Sequence, residues 1–343
     1  MENNLGNVFK DKKILVTGGT GYIGSEIVRN LLKYKPKVVR IFSNDEDSMF
    51  RLMQELSEYN NTRFLIGDIR DKERLKLAME NIDIVYHAAA LKHVPLCEYN
   101  PFEAIKTNVL GTQNVIEASL SNDVDKVINV STDKAVNPIN TMGATKLLAE
   151  KLIIDANEGK GTKKTIFTSV RFGNVLFSRG SVIPLFEKQI EQKKPITLTN
   201  PKMTRFVMSI KNTIDLVFLA TLMAKGGEIF IFKMPVVRLG DLTEVIIDKY
   251  SGLYGYNKDE IHTKIIGNRA GEKLFEELMT LSESEIAFET KDMLIIPPQL
   301  ELENIRYDVK DYPNASKCKL NRYVSKDIRP LSEKKIKKLL SDI

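Results

Sequence analysis

The chain has 343 residues, of which 43% are hydrophobic and 28% charged, with 51 basic and 45 acidic side chains and a formal net charge of +6. Basic and acidic groups are interspersed along the chain, which argues against a nucleic-acid partner and suits an anionic small molecule equally well. No apolar run reaches the roughly 18 residues of a membrane span, the opening MENNLGNVFKDKK lacks a signal's apolar stretch, and Cys97 and Cys318 have no CxxC spacing, so a soluble cytoplasmic protein with two free thiols is expected.

In chain order, short β-branched runs at 13–17, 37–43, 62–67, 82–87, 126–131 and 164–171 alternate with helical patterns at 22–34, 45–58, 71–80, 101–120 and 143–157. This rhythm predicts an α/β fold, a Rossmann-like doubly wound parallel sheet spanning residues 1–172. Beyond it Pro184, Pro195, Pro201 and Pro235 punctuate shorter elements, with helical patterns at 211–224 and 239–250, and 173–300 reads as a smaller α/β lobe. Residues 301–343 read as a polar tail and a closing amphipathic helix, on which Lys334-Lys335-Ile336-Lys337-Lys338 is a solvated face.

The first strand runs into Thr17-Gly18-Gly19-Thr20-Gly21-Tyr22-Ile23-Gly24 and then into a helical pattern. Gly18 permits a tight turn, Gly21 lets backbone approach a pyrophosphate, and Gly24 allows close helix packing, while the helix N-terminus offers amide donors. A dinucleotide, NAD or NADP, is the implied cofactor. The second strand ends at Ser43-Asn44-Asp45, where an acid favours NAD and a base NADP, and these residues leave the choice open. Asp68, past the third strand, is placed to accept from the adenine amino group or to cap the helix at 71–80.

Together with His87-Ala88-Ala89-Ala90, Asn108, Ser131-Thr132-Asp133-Lys134-Ala135 and Gly143-Ala144-Thr145-Lys146, this fingerprint resembles the extended short-chain dehydrogenase/reductases. Leu91-Lys92-His93-Val94-Pro95, Arg171-Phe172-Gly173-Asn174-Val175, Thr204-Arg205-Phe206 and Gly271-Glu272-Lys273 narrow the resemblance to the UDP-N-acetylglucosamine 4,6-dehydratases, over about residues 10 to 280. The resemblance implies cofactor contacts from Thr20, Tyr22, Ile23, Ser43, Ile69, Ala88, Ala89, Ala90, Asn108 and Lys146. It implies UDP-N-acetylglucosamine as substrate, held by Lys92, His93, Asn174, Arg205, Arg269 and Glu272, and a homo-oligomer. His87, His93 and His262 have no metal-ligand spacing, and no metal is expected.

Elimination of water needs an acid and a base, which Asp133 and Lys134 would provide at the carboxyl end of the fifth strand. For Lys134 to act as the base at sugar carbon 5 its pKa must fall, through desolvation or a nearby cation such as Lys146. The related enzymes carry Tyr four residues before the catalytic Lys, where this chain has Met142, a variant familiar in the dehydratase group. The carbon 4 hydroxyl proton must then go to Lys134, Asp133, Thr132 or a water held by Lys146, with Met142 packing against nicotinamide or sugar. Arg in some relatives is Asn44 here, and His is Phe275, a change expected to alter the substrate pocket. A UDP-sugar 4-epimerase, which needs no such acid–base pair, and a non-catalytic NAD(P)-binding regulator are the competing readings. A bulky side chain at Gly21 should abolish retention of nicotinamide cofactor, measured on the purified variant, because it blocks backbone approach to the pyrophosphate.

Overall fold

The computed structural model describes residues 2–178, 180–268, 271–299 and 306–341. The six expected strands form as β1 (Lys13–Thr17), β2 (Val38–Ser43), β3 (Thr62–Ile66), β4 (Ile84–His87), β5 (Lys126–Val130) and β6 (Ile166–Arg171). They lie parallel in the order β3-β2-β1-β4-β5-β6, with register pairs Thr17–Phe42, Thr17–His87 and Val130–Val170 bringing their carboxyl ends to one edge. The order reverses between β1 and β4, which places a crevice above those two strands. Buried on both faces, β4 and β6 are near-continuous runs without alternation, as a covered parallel sheet requires.

The sheet does not end at residue 172. Ile229–Phe232 adds parallel to β6, and Met293–Ile296 adds antiparallel to Ile229–Phe232. Both strands are fully buried apolar tetrapeptides, IFIF and MLII, whose patterns periodicity cannot assign to strand or helix. The remaining elements of 173–300 include a three-stranded sheet of Asn174–Val175, Thr204–Met208 and Val236–Arg238, and a parallel pair of Ile196–Leu198 with Thr263–Ile265. Helices Val182–Glu191 and Leu239–Leu253 enclose a separate apolar cluster around Ile183, Phe186 and Ile246. The closing helix Glu333–Ser341 inserts Ile336 and Leu340 into that cluster and turns Lys337 outward to Asp248, so its basic run is indeed a solvated face.

Among the described residues four helices were not legible as such, one of them Leu281–Ile286. Helix α1 (Glu2–Phe9) docks Phe9 against Phe218 at 4.8 Å and Tyr34 at 5.4 Å between ring centres. Val94–Tyr99 and Val182–Glu191 carry Pro95 and Pro184 within their first turns, where a missing N–H costs nothing, so these prolines begin helices rather than interrupt them. The expected helix at 101–120 forms with a π-turn at Ile105–Leu110 inside it. Among the described residues no helix is long and apolar enough to cross a membrane.

Beneath the carboxyl edge, the fully buried Arg171 makes paired bonds to Glu150 (2.6 and 3.0 Å) and Glu283 (3.0 and 3.2 Å) and donates to the Leu278 carbonyl. This cluster ties β6 to the helix Thr141–Asp155 and to the segment that follows Glu276. Removing one partner strands buried charge. Arg171→Leu should lower unfolding stability by about 3–5 kcal/mol in urea titration, far beyond the usual cost of exchanging a surface arginine.

Candidate active site

The glycine turn is shaped to take backbone-close contact. Gly18 has φ +63°, and a Cβ there would lie 2.7 Å from Ala89 N and Cα, while a Cβ on Gly24 would lie 2.2 Å from the Gly18 carbonyl. No side chain caps the N-terminus at Gly21 of helix α2 (Tyr22–Leu32). Its first amides therefore suit an anion. Thr20 and Ser43 hydroxyls meet at 2.7 Å, joining the turn to the end of β2. Asp71, not Asp68, caps the helix Lys72–Met79. Asp68 instead pairs with Arg70 at 2.7 Å and accepts from Asn44 at 3.2 Å; burial alone would raise its pKa, but the Arg70 bonds outweigh it and hold the group low.

Several residues expected to touch the cofactor also brace the cradle through contacts within the protein. The Tyr22 hydroxyl donates to the Leu176 carbonyl, Ile23 packs against the core, and Ile69 fills the space over Gly111. Asn108, fully buried in the π-turn, accepts from Leu91 N at 2.8 Å and donates to Leu91 O and Thr145 Oγ1 at 3.0 Å. Its amide is thus committed to fixing the loop after Ala88-Ala89-Ala90 against the helix Thr141–Asp155. His87, bridged between Thr17 and Thr112 hydroxyls, is driven to about 3 by burial and by Lys146, so it is neutral.

At the carboxyl end of β5, Thr132 caps a short turn, Asp133–Ala135. The Thr132 hydroxyl donates to Asp133 Oδ1 at 2.7 Å, and Lys134 Nζ donates to the same oxygen at 3.0 Å. Gly143 makes the close packing possible, since a Cβ on it would fall 2.2 Å from the Lys134 carbonyl. A second segment is stapled onto this turn. Lys273 Nζ donates to Val136 O at 2.7 Å, Asn140 to Gly271 O at 2.9 Å and Asn137 to Glu277 at 2.7 Å.

That stapling buries Glu276 beside the pair, its Oε1 3.9 Å from Lys134 Nζ. Asn174 donates to both Glu276 oxygens (2.8 and 2.9 Å), Phe206 N to one (3.0 Å), and Arg205 Nε stands 3.4 Å away. Burial and the Asp133 carboxylate push Glu276 up to about 7. Burial would raise Asp133 too, but the Lys134 ammonium and hydrogen bonds from Glu276, Thr132 and Lys134 keep it low. The depressed pKa expected for Lys134 is not found. Desolvation does pull it down, but two carboxylates more than compensate, and Lys134 rests as an ammonium ion. The lysine that does fall is Lys146, lowered by burial to about 8 while its Nζ donates to Val130 O at 2.7 Å.

Met142 is buried among Cys97, Ala104 and Val94. The short helix Val94–Tyr99, unseen in the sequence, supplies its neighbours. Phe275 lies outside the cavity, under the Lys326 ammonium at 4.3 Å.

A cavity of about 580 Å³ opens over this corner, and Lys92, His93, Asp133, Lys134, Asn174, Arg205, Glu272 and Glu276 all face it. His93, lowered by burial and by Lys92, packs against Gly180, where a Cβ would come within 2.8 Å of its ring. Arg205 is held by the Lys273 carbonyl at 2.9 Å and by Glu272 at 3.5 Å as well as by Glu276. Arg269 lies outside the described residues.

The family described as polysaccharide biosynthesis protein matches residues 14–298. The chain belongs to that family. It is 44% identical over 297 residues to a UDP-N-acetylglucosamine 4,6-dehydratase (inverting) of Campylobacter jejuni, covering 86% of this chain and 85% of that one. It is also 40% identical over 338 residues to a UDP-glucose 4-epimerase of Rickettsia rickettsii, covering 97% and 96%. The solved structure of Pen from Bacillus thuringiensis superposes with a TM-score of 0.91 at 48% identity over 98% of each chain. The family therefore includes relatives named for both dehydration and epimerisation of nucleotide sugars, and the site chemistry must separate them.

Sequence reasoning assembled Asp133, Lys134, Asn174, Arg205 and Glu272 correctly around one cavity but passed over Glu276. The signal lay in the run Glu272-Lys273-Leu274-Phe275-Glu276-Glu277, where only folding shows which of three acids turns inward. Gly143→Ala should displace the Lys134 turn, costing about 1–3 kcal/mol in thermal or urea unfolding and lowering turnover more than the same exchange at Gly159, which has ample space.

Proposed function

We propose that the protein is a nucleotide-sugar 4,6-dehydratase acting on UDP-N-acetylglucosamine. The observation that carries this reading is the Asp133–Lys134–Glu276 group, a half-buried ammonium between two buried carboxylates facing the cavity. Oxidation and epimerisation at carbon 4 need one proton acceptor. Three ionisable groups in a desolvated corner suit a reaction that moves protons at carbons 4, 5 and 6.

A nicotinamide dinucleotide, NAD or NADP, held on the Gly18–Gly24 turn, supplies hydride abstraction from carbon 4 and its return to carbon 6. The Thr132 hydroxyl, already donating to Asp133, takes the carbon 4 hydroxyl proton and passes its own to that carboxylate. The resulting ketone acidifies carbon 5. Lys134, once neutral, removes that proton while a carboxylic acid protonates the departing carbon 6 hydroxyl. Two protons leave the sugar and two return, one to the water and one to carbon 5, so the protein ends as it began. Lys92, His93, Asn174, Arg205 and Glu272 surround the volume in which the sugar and its diphosphate would lie. Lys146, nearer neutrality than an ordinary lysine, gives electrostatic support beside the ribose. A homo-oligomer is the assembly this reading carries with it.

Incubation with UDP-N-acetylglucosamine should yield a product lighter by one water, read by mass spectrometry. Unchanged mass with inverted carbon 4 would establish the epimerase instead, and proton NMR of the product reports the carbon 5 configuration. In Lys134→Ala, oxidation at carbon 4 should persist while solvent deuterium entry at carbon 5 falls by about 10²–10⁴-fold; wild-type deuterium entry in that variant removes Lys134 from the base role.

A further inference from the structure

Lys134 rests as an ammonium ion, so it can accept a proton from carbon 5 only after losing one. Two carboxylates are in position to take it: Asp133 at 3.0 Å and Glu276 at 3.9 Å. We propose that Glu276 is the acceptor and then the general acid of the elimination, receiving the Lys134 proton and delivering it to the carbon 6 hydroxyl. The inference rests on the dehydratase reading above and moves the acid's role at carbon 6 from Asp133, where sequence reasoning placed it, to Glu276.

Both carboxylates are well supplied with donors: Glu276 accepts from Asn174 on both oxygens and from the Phe206 amide on one, and Asp133 accepts from the Thr132 hydroxyl and the Lys134 ammonium. What separates them is the earlier part played by Asp133. In the reaction it is the group that takes the carbon 4 proton through Thr132, so it is already protonated when the elimination begins. Glu276 is buried and lines the cavity, with its Oε1 turned to Lys134. The groups that face it are Asp133 and Lys134 from the turn after β5, Asn174, Arg205 and the Phe206 amide, and, in its own segment, Glu272 and Lys273. Two buried carboxylates sharing one site cannot both remain ionised cheaply, so one of them gains proton affinity, and Glu276 is that one. At 3.9 Å the two groups form an ion pair, and one water or a side-chain rotation of Lys134 would carry the proton between them.

The step balances. Lys134–NH₃⁺ with Glu276–COO⁻ becomes Lys134–NH₂ with Glu276–COOH. The amine takes the carbon 5 proton, the carbon 6–oxygen bond breaks with the carbon 5 electron pair forming the double bond, and the Glu276 proton leaves in water. Lys134 then returns a proton to carbon 5, and Asp133 returns to Lys134 the proton it took from carbon 4.

The test uses UDP-N-acetylglucosamine in deuterated buffer, following water loss by mass, deuterium at carbon 5 by NMR, and carbon 4 oxidation by absorbance of the reduced nicotinamide. Glu276 must be ionised to accept, so wild-type elimination should be full above its pKa of about 7 and fall as pH drops through it toward about 5.5. Glu276→Gln should lose water elimination by about 100-fold or more while still oxidising carbon 4, and its residual rate should lack that acid limb. Glu276→Asp should recover part of the rate and keep a limb, which a merely structural role would not produce. A flat wild-type profile between about pH 5.5 and about pH 8.5 overturns the proposal without any variant. So does Glu276→Gln that eliminates water at more than about a tenth of the wild-type rate. Wild-type protein that releases no dehydrated product overturns the dehydratase reading itself, and the assignment of Glu276 with it.

Discussion

The site depends on holding a half-buried ammonium ion between two buried carboxylates at the carboxyl end of β5. Such an arrangement is costly, because each ion loses hydration and the two acids repel. It persists because each charge is answered by fixed partners: Thr132 for Asp133, both acids for Lys134, and Asn174, the Phe206 amide and Arg205 for Glu276. Splitting the two carboxylates into one held low and one raised near neutrality is a general way of keeping an acid and a base side by side at the same pH.

Those partners come from parts of the chain far apart in sequence, and the fold explains how they meet. The turn after β5 presents Asp133 and Lys134, and the tight approach of the helix Thr141–Asp155, permitted by Gly143, keeps that turn from relaxing outward. From the other side the segment 271–277 is pinned by Lys273, Asn140 and Asn137. Below it, Arg171 joins β6, Glu150 and Glu283 in one buried cluster, so the floor under Glu276 is braced by charge as well as packing. The catalytic corner and the stability of the carboxyl edge are thus parts of one connected set of bonds.

How much of this was legible follows from the range of each interaction. The six strands and the glycine turn are local patterns, written in runs such as Lys13–Thr17 and in the spacing of Gly18, Gly21 and Gly24, and they were read almost to the residue. The strands Ile229–Phe232 and Met293–Ile296 were not, because a short run buried on both faces carries no period. The charge state of Lys134 was misjudged for a related reason. Desolvation is predictable from an apolar neighbourhood, but the opposing pull of Glu276 arrives from a position 142 residues later in the chain, and no spacing in the sequence announces it. The bonds that Asn108 and Tyr22 make within the protein were not foreseen, since a motif locates a residue without saying which way its side chain turns.

Met142 shows how the protein accommodates a missing proton acceptor. A thioether neither accepts nor gives the carbon 4 proton, and here it packs with Cys97, Ala104 and Val94. That position has become part of the wall that holds the helix Val94–Tyr99, whose Pro95 and Leu96 do face the cavity. In the proposed reaction, proton handling gathers into the Thr132–Asp133–Lys134–Glu276 corner, where one hydroxyl, two acids and one amine would pass protons among carbons 4, 5 and 6 without a phenol. Such concentration makes the order of protonation matter more than in a site with separate acid and base residues, because the state of each group sets the affinity of the next. The short Thr132–Asp133 contact and the longer Lys134–Glu276 distance suit the proposed order, in which the carbon 4 proton moves first along the bond already made and the elimination proton second, between the more distant pair.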